Sequence, residues 1–143
     1  MNFDKRNYVF QLSKGYRELK SLFKTFSENW IKKIPEYKNY EVSFLDSSDT
    51  SIKMCIFDEP VEISFRMTLL KEMDKFPQYG EMTLEYSGTE KDKEQITKLY
   101  FDSNGKIYKN LDRPFADINQ VNTYENILIE FLHDYLESLK QND

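Results

Sequence analysis

The sequence has very few of the residues that build metal centres and disulfides. It contains one cysteine, Cys55, and one histidine, His133. A single cysteine excludes an internal disulfide, and one histidine with one cysteine cannot supply the ligands of an ordinary zinc site. We expect Cys55 to be a buried, unreactive thiol within a strand, and His133 to be structural or to face solvent.

Glycine and proline are also scarce, with four of each among 143 residues. Neither Gly-x-x-x-x-Gly-Lys-Ser/Thr nor Gly-x-Gly-x-x-Gly occurs, so nucleotide binding by either phosphate loop is not indicated. No Gly-x-Ser-x-Gly elbow is present to carry a nucleophile. The sequence therefore favours a protein that is not an enzyme, and we predict neither a cofactor nor a metal.

Long apolar runs are missing as well. No stretch approaches the ~18 apolar residues that a membrane span needs. The first six residues lack the apolar segment of a signal peptide. We therefore expect a cytoplasmic protein that does not enter a membrane.

Aromatic side chains, in contrast, are abundant: 11 Phe, 10 Tyr and 1 Trp. Large rings bury a large area each, so they can build a core where aliphatic residues are few. The length suits one domain, and no composition shift or flexible linker divides the chain. We predict a single domain over residues 1–143.

Two amphipathic segments, one near each end of the chain, predict helices. Apolar residues in the segment 8–34 recur every three or four positions and form one stripe, and Pro35 ends it. A second stripe spans residues 121–140. The first stripe consists of Val9, Leu12, Tyr16, Leu19, Phe23, Phe26 and Trp30.

Between these helices, apolar and polar residues alternate with the period of half-buried strands. We predict about six strands joined in a meander, the clearest at residues 61–69, and we expect Pro114 to end the pairing. The predicted fold is α+β, an antiparallel sheet flanked by a long N-terminal helix and a C-terminal helix. The strand segments are 40–44, 51–57, 61–69, 82–86, 95–101 and 106–109.

The first helix is too long for the sheet that it covers. A helix over residues 8–34 spans roughly 40 Å, whereas a seven-residue strand spans roughly 23 Å. Unless the helix bends or breaks at Gly15, part of its apolar stripe extends past the sheet and needs a partner, such as a second copy. Phe23, Phe26 and Trp30 are the candidate residues of such an interface.

Charge is unevenly distributed along the chain, whose net charge is −5. Residues 1–40 hold nine Lys and Arg against four Asp and Glu, whereas residues 41–143 hold eleven against twenty-one. The basic residues of the first helix could contact phosphates. However, Glu18 and Glu28 interrupt them and the pI is about 5.0, so nucleic-acid binding is not favoured.

The acidic part of the chain predicts a surface that covers a basic site on another protein by complementary charge. In size, acidity and helix–sheet–helix order the chain resembles toxin-neutralising immunity proteins, phage inhibitors of host defence and acidic secretion chaperones. This resemblance in outline implies a bacterial or phage inhibitor whose partner is a toxin, a nuclease or a defence effector. The candidate binding residues are Asp58, Glu59, Glu62, Glu85, Glu90, Asp92 and Glu94.

Two alternatives remain open at this stage. One is a dimeric acidic chaperone of the secretion type, or an assembly subunit, that pairs through a terminal helix. The other is a small enzyme that uses clustered carboxylates and a divalent metal ion.

Overall fold

The computed structural model describes residues 3–87 and 95–140. A long helix, α1, opens this part of the chain, and a shorter helix, α2, closes it, with a sheet between them. Single turns of 3-10 helix follow α1 at Ile34–Glu36 and precede α2 at Val121–Thr123. The elements are α1 (Phe3–Lys33), β1 (Val42–Ser47), β2 (Ser51–Ile56), β3 (Glu59–Leu69), β4 (Gln78–Tyr86), β5 (Gln95–Phe101), β6 (Lys106–Tyr108), β7 (Pro114–Asp117) and α2 (Tyr124–Ser138).

Every strand of the sheet pairs antiparallel with its neighbours in sequence, in the order β1 to β7. This meander confirms the predicted α+β fold. The described residues form seven strands instead of about six, because Pro114 opens β7 and lies opposite Tyr108 of β6. Proline is tolerated there because β7 is an edge strand, and the first residue of such a strand need not donate a ladder hydrogen bond.

Both helices pack on one face of the sheet, and aromatic rings join them. The ring of Trp30 in α1 stacks on Phe26 at 5.2 Å and meets Phe131 of α2 edge-on at 5.8 Å. Tyr124 at the start of α2 lies 5.4 Å from Phe26. Below them, alternate side chains of the strands such as Ile52, Ile63 and Leu84 are 0% exposed, which follows from the two-residue period of a strand.

Helix α1 starts earlier than predicted and passes through Gly15 without a break. The side chain of Gln78 lies against the helix at Gly15, and its Nε2 donates to the carbonyl oxygen of Leu12 at 2.8 Å. A Cβ at position 15 would overlap the Gln78 carboxamide, so glycine permits this close approach. Neither α1 nor α2 is long and apolar enough to cross a membrane.

The expected projection of α1 exists, but not at the residues assigned to it. The exposed segment is residues 4–11, and within it Tyr8, Val9 and Phe10 remain open to solvent. The interface predicted at Phe23, Phe26 and Trp30 is misplaced, because all three are 0% exposed in this chain's own core. The stripe from Leu19 to Trp30 fills the core because the sheet lies beneath this part of the helix, whereas residues 4–11 extend past it.

An ionic cluster ties the end of the sheet to α2. The ammonium group of Lys109 lies 2.7 Å from a carboxylate oxygen of Glu130 and 2.7 Å from one of Asp134. Burial acts to raise the pKa of Asp134, but hydrogen bonds from Lys109, Thr97 and His133 outweigh it and hold this pKa below its usual value. The charged form of Asp134 is therefore favoured by folding.

Asp134→Asn should reveal this stabilisation as a pH dependence. A carboxyl group whose pKa is lower in the folded state stabilises the fold above its unfolded pKa, and the stabilisation is lost as pH falls through the folded pKa. The difference in unfolding free energy between wild type and variant, measured by urea titration, should be full at neutral pH and vanish in strong acid. Asp112→Asn, at an exposed loop carboxylate, is the control; a pH-independent effect of Asp134→Asn would contradict the prediction.

Gly80→Ala should destabilise the sheet by about 1–3 kcal/mol, the usual range for overpacking a core. Gly80 lies directly opposite Phe101, and a methyl group there would overlap the buried ring. Chemical denaturation of Gly80→Ala, Phe101→Leu and the double variant measures the coupling. The double variant should lose less stability than the sum of the single changes, and strict additivity would rule out the proposed ring–glycine contact.

Candidate functional site

The turn between β2 and β3 has an unusual backbone conformation. It consists of two residues, Phe57 and Asp58, because Ile56 and Glu59 already pair across the hairpin. Both turn residues have positive φ, 49° and 65°, as in the type I′ turn that matches strand twist. The amide of Phe57 donates to the carbonyl oxygen of Glu41 at 2.9 Å and fixes the turn against the chain before β1.

Phenylalanine is a poor residue for this backbone conformation. Type I′ turns favour Asn-Gly or Asp-Gly, and a bulky residue at positive φ is strained by about 1–2 kcal/mol. The ring of Phe57 is nevertheless 46% exposed, so burial does not account for the choice. Strain of this kind often marks a functional position.

An aromatic stack supports the exposed ring from below. Phe57 stacks on Tyr135 of α2 with ring centroids 6.0 Å apart, and Tyr135 in turn lies 6.0 Å from Tyr86 of β4. The hydroxyl of Tyr86 is 2.6 Å from the Oγ of Ser138. Three elements, the turn, β4 and α2, therefore hold Phe57 in a defined position.

Two acidic residues lie beside this ring, and two more lie further along the strands on the sheet face away from the helices. Asp58 and Glu59 are exposed beside the ring, and Glu62 lies directly opposite Glu85 on the next strand. Burial, and then the charge of Glu59, raise the pKa of Tyr135, which places that carboxylate close to the stack. We call this surface, made by Phe57, Asp58, Glu59, Glu62 and Glu85, the acidic edge.

The acidic edge concentrates like charge at some cost to the fold. Carboxylates directly opposite on adjacent strands repel each other by about 0.2–1 kcal/mol. Neighbouring groups offset part of this repulsion: Ser64 donates to Glu85 at 2.9 Å, and Lys53 is the cross-strand partner of Glu62 on the other side. Four of the seven residues predicted as the binding site lie at this end of the sheet, Asp58 and Glu59 at the turn and Glu62 and Glu85 on the face away from the helices; their role in binding stays a prediction.

The remaining three predicted residues, Glu90, Asp92 and Glu94, lie outside the described residues. The strands on either side of the segment that carries them, β4 and β5, respectively end and begin at the same end of the sheet as the β2–β3 turn. The chain just after β4 is tied to that turn, because the amide of Ser87 donates to the carbonyl oxygen of Pro60 at 3.2 Å. Their membership of the site stays a prediction.

An ion network lies next to the acidic edge, on the sheet face away from the helices. One oxygen of Glu81, a side chain only 4% exposed, is 3.1 Å from Arg66 Nε and 3.4 Å from Lys98 Nζ. Thr83 donates to the same oxygen at 3.2 Å. The three strands thereby form a shallow polar cavity of about 250 Å³ that Glu85 also lines.

A group of tyrosines covers the other side of this outer face. Tyr100 lies opposite Tyr108, and the ring of Tyr79 meets Tyr108 edge-on at 6.4 Å. Burial, followed by a hydrogen bond to Asp102, raises the pKa of Tyr108 to about 12. The hydroxyl of Tyr108 therefore remains neutral at physiological pH and contributes polar surface without charge.

Sequence reasoning missed two parts of this surface. It assigned Phe57 to a strand, because no Asn-Gly pair marks the turn and only the backbone shows the positive φ. It placed Glu81 in a loop, although the alternation of Tyr79, Glu81 and Thr83 is a strand signal that extends β4 toward its start. Cys55 is partly exposed instead of buried, whereas His133 faces solvent, as expected, with a side chain 64% exposed.

Searches of protein-family models, curated proteins and solved structures found no match for this chain. Within residues 3–87 and 95–140, no group of three or more His, Cys, Asp or Glu is arranged to hold a metal ion. Function must therefore be inferred from the residues of the surface itself.

Phe57→Asn should change the unfolding free energy by less than about 1 kcal/mol. Asparagine tolerates positive φ, so relief of strain of about 1–2 kcal/mol offsets the loss of the half-exposed ring and its stacking, worth about 0.5–1.5 kcal/mol. Equilibrium unfolding in urea measures the change. The control is Phe65→Asn at a buried ring, which should destabilise severely; a comparable loss in Phe57→Asn would show that the ring serves stability.

Proposed function

We propose that this protein binds another protein and occludes a basic site on it through the acidic edge. The observation that carries the proposal is an exposed aromatic ring held in a strained turn beside Asp58 and Glu59, at the end of the sheet that also carries the like-charge pair of Glu62 and Glu85. Neither the strain nor the like-charge pair benefits the fold, so a role in binding explains why both are present.

The chemistry of the acidic edge fits such a partner. Exposed carboxylates steer a basic surface into contact and accelerate association. An aromatic ring beside the carboxylates is the residue type that dominates binding energy when a partner's pocket desolvates it. The ring is positioned in advance by Tyr135, so little conformational entropy is lost on binding.

The biological role that best suits this mode of action is that of a bacterial or phage inhibitor. A nuclease, a toxin or a defence effector presents a basic site for nucleic acid, and an acidic protein surface competes for such a site by imitating its charge. The chain would act stoichiometrically, as an immunity or anti-defence protein does, and would need no catalytic residue.

Site-specific photo-crosslinking tests the proposal in the organism that makes the protein. A photoreactive phenylalanine at position 57 should crosslink to a protein with a basic surface, because the ring lies within the contact. The same probe at Ile129, an exposed position on α2, should not give that product. Equal crosslinking from both positions, or none from position 57, would refute the proposed surface.

Charge variants then test the mechanism with the captured partner. Asp58→Asn combined with Glu59→Lys should lower the association rate constant by at least about tenfold and weaken its dependence on salt, since steering is electrostatic. Asp49→Asn combined with Glu28→Lys makes the same change of net charge at exposed positions elsewhere. If both double variants bind alike in stopped-flow measurements, the acidic edge is not the binding surface.

A further inference from the structure

The end of the molecule opposite the acidic edge carries a second surface with unpartnered apolar groups. Residues 4–11 of α1 project past the sheet, and Tyr8 and Val9 are 55% and 61% exposed. The loop between β3 and β4 lies beside them, since Gln78 at its end bonds to Leu12. That loop presents Met73, 89% exposed and at positive φ, and Phe76, 56% exposed.

This surface has a net positive charge, opposite in sign to that of the acidic edge. Residues 3–17 hold four Lys and Arg against one acidic residue, and the β3–β4 loop adds two Lys and two acidic residues, which cancel. We call the combination of the projecting helix and this loop the basic end. Its exposed apolar side chains are flanked by cations on α1, among them Lys5, Lys14 and Arg17.

The acidic edge also has exposed apolar neighbours. Leu136 and Leu139, one and four residues after the Tyr135 that supports Phe57, are 47% and 50% exposed. Each end of the molecule therefore combines uncovered apolar groups with a net charge, positive at the basic end and negative at the acidic edge. The two surfaces lie at opposite ends of β3, an eleven-residue strand that spans about 36 Å. The basic end and the acidic edge of the same chain therefore cannot contact each other.

We propose that the basic end of one copy of this chain docks on the acidic edge of a second copy, head to tail. Opposite charges and apolar groups then meet in one contact. A symmetric contact between two basic ends would instead place like charges together. A head-to-tail contact is heterologous, so it leaves one free end of each kind and the assembly can grow.

This inference does not depend on an outside partner, because it needs only two copies of the chain. It does have a consequence for the proposed function. The same residues of the acidic edge cannot serve both contacts, so self-association would compete with partner binding and keep part of the protein inactive at high concentration.

Complementation between blocked variants tests the head-to-tail contact. Val9→Asp blocks the basic end, and Glu59→Lys blocks the acidic edge; both positions are exposed, so the fold should survive, as circular dichroism will show. Wild type should associate with rising concentration in sedimentation velocity, and each variant alone should associate about tenfold more weakly. An equimolar mixture of the two should form a dimer and stop there, because only one intact end remains on each chain.

Two control variants and added salt show whether association uses these two ends and their charges. Ile129→Asp and Glu28→Lys carry the same substitutions at exposed positions outside both ends and should associate like wild type. Added salt should weaken association, since screening acts on opposite charges. A wild type that stays monomeric at ~1 mM, association that salt strengthens, or a mixture that remains monomeric would each overturn the proposal.

Discussion

The contact on which the rest of this structure depends is the group of aromatic rings between the two helices. Phe26 and Trp30 of α1 meet Tyr124 and Phe131 of α2, and all four are 0% exposed. Because these rings are the widest side chains in the core, they determine how both helices lie on one face of the sheet. The packing is favourable enough that the indole nitrogen of Trp30 stays buried without a hydrogen-bond partner, at a cost of about 1–3 kcal/mol.

The asymmetry of the sheet follows from that arrangement. With both helices on one side, the other side faces water and can carry charge, including a carboxylate as enclosed as that of Glu81. The same arrangement places α2 under the β2–β3 turn, where Tyr135 supports Phe57. The core thus positions the ring beside Asp58 and Glu59, although no residue of the acidic edge belongs to the core cluster.

The two charged ends arise from a mismatch in length. Helix α1 has 31 residues, or about 46 Å, which exceeds the sheet that it covers, so its basic start projects. The acidic residues instead gather at the opposite end, where the β2–β3 turn and the start of the β4–β5 connection meet. A molecule with opposite net charges at its two ends has an electric dipole along its length. A symmetric distribution of the same residues would not produce one.

The sequence by itself determined the class of the fold, because the three- and four-residue spacing of one stripe and the two-residue alternation of the strands are local signals. It also determined that α1 is longer than the strands and that charge divides between the two parts of the chain. The sequence did not show which part of α1 projects past the sheet. Tyr8 and Phe23 are both aromatic residues of the helix, and only the packed sheet makes one exposed and the other buried. Only the tertiary structure decided that Phe57 is a strained and exposed turn residue, that Glu62 lies opposite Glu85, and that Glu81 is enclosed by cations. These facts depend on strand register and on which element lies above which, and both are set by contacts between residues far apart in the chain.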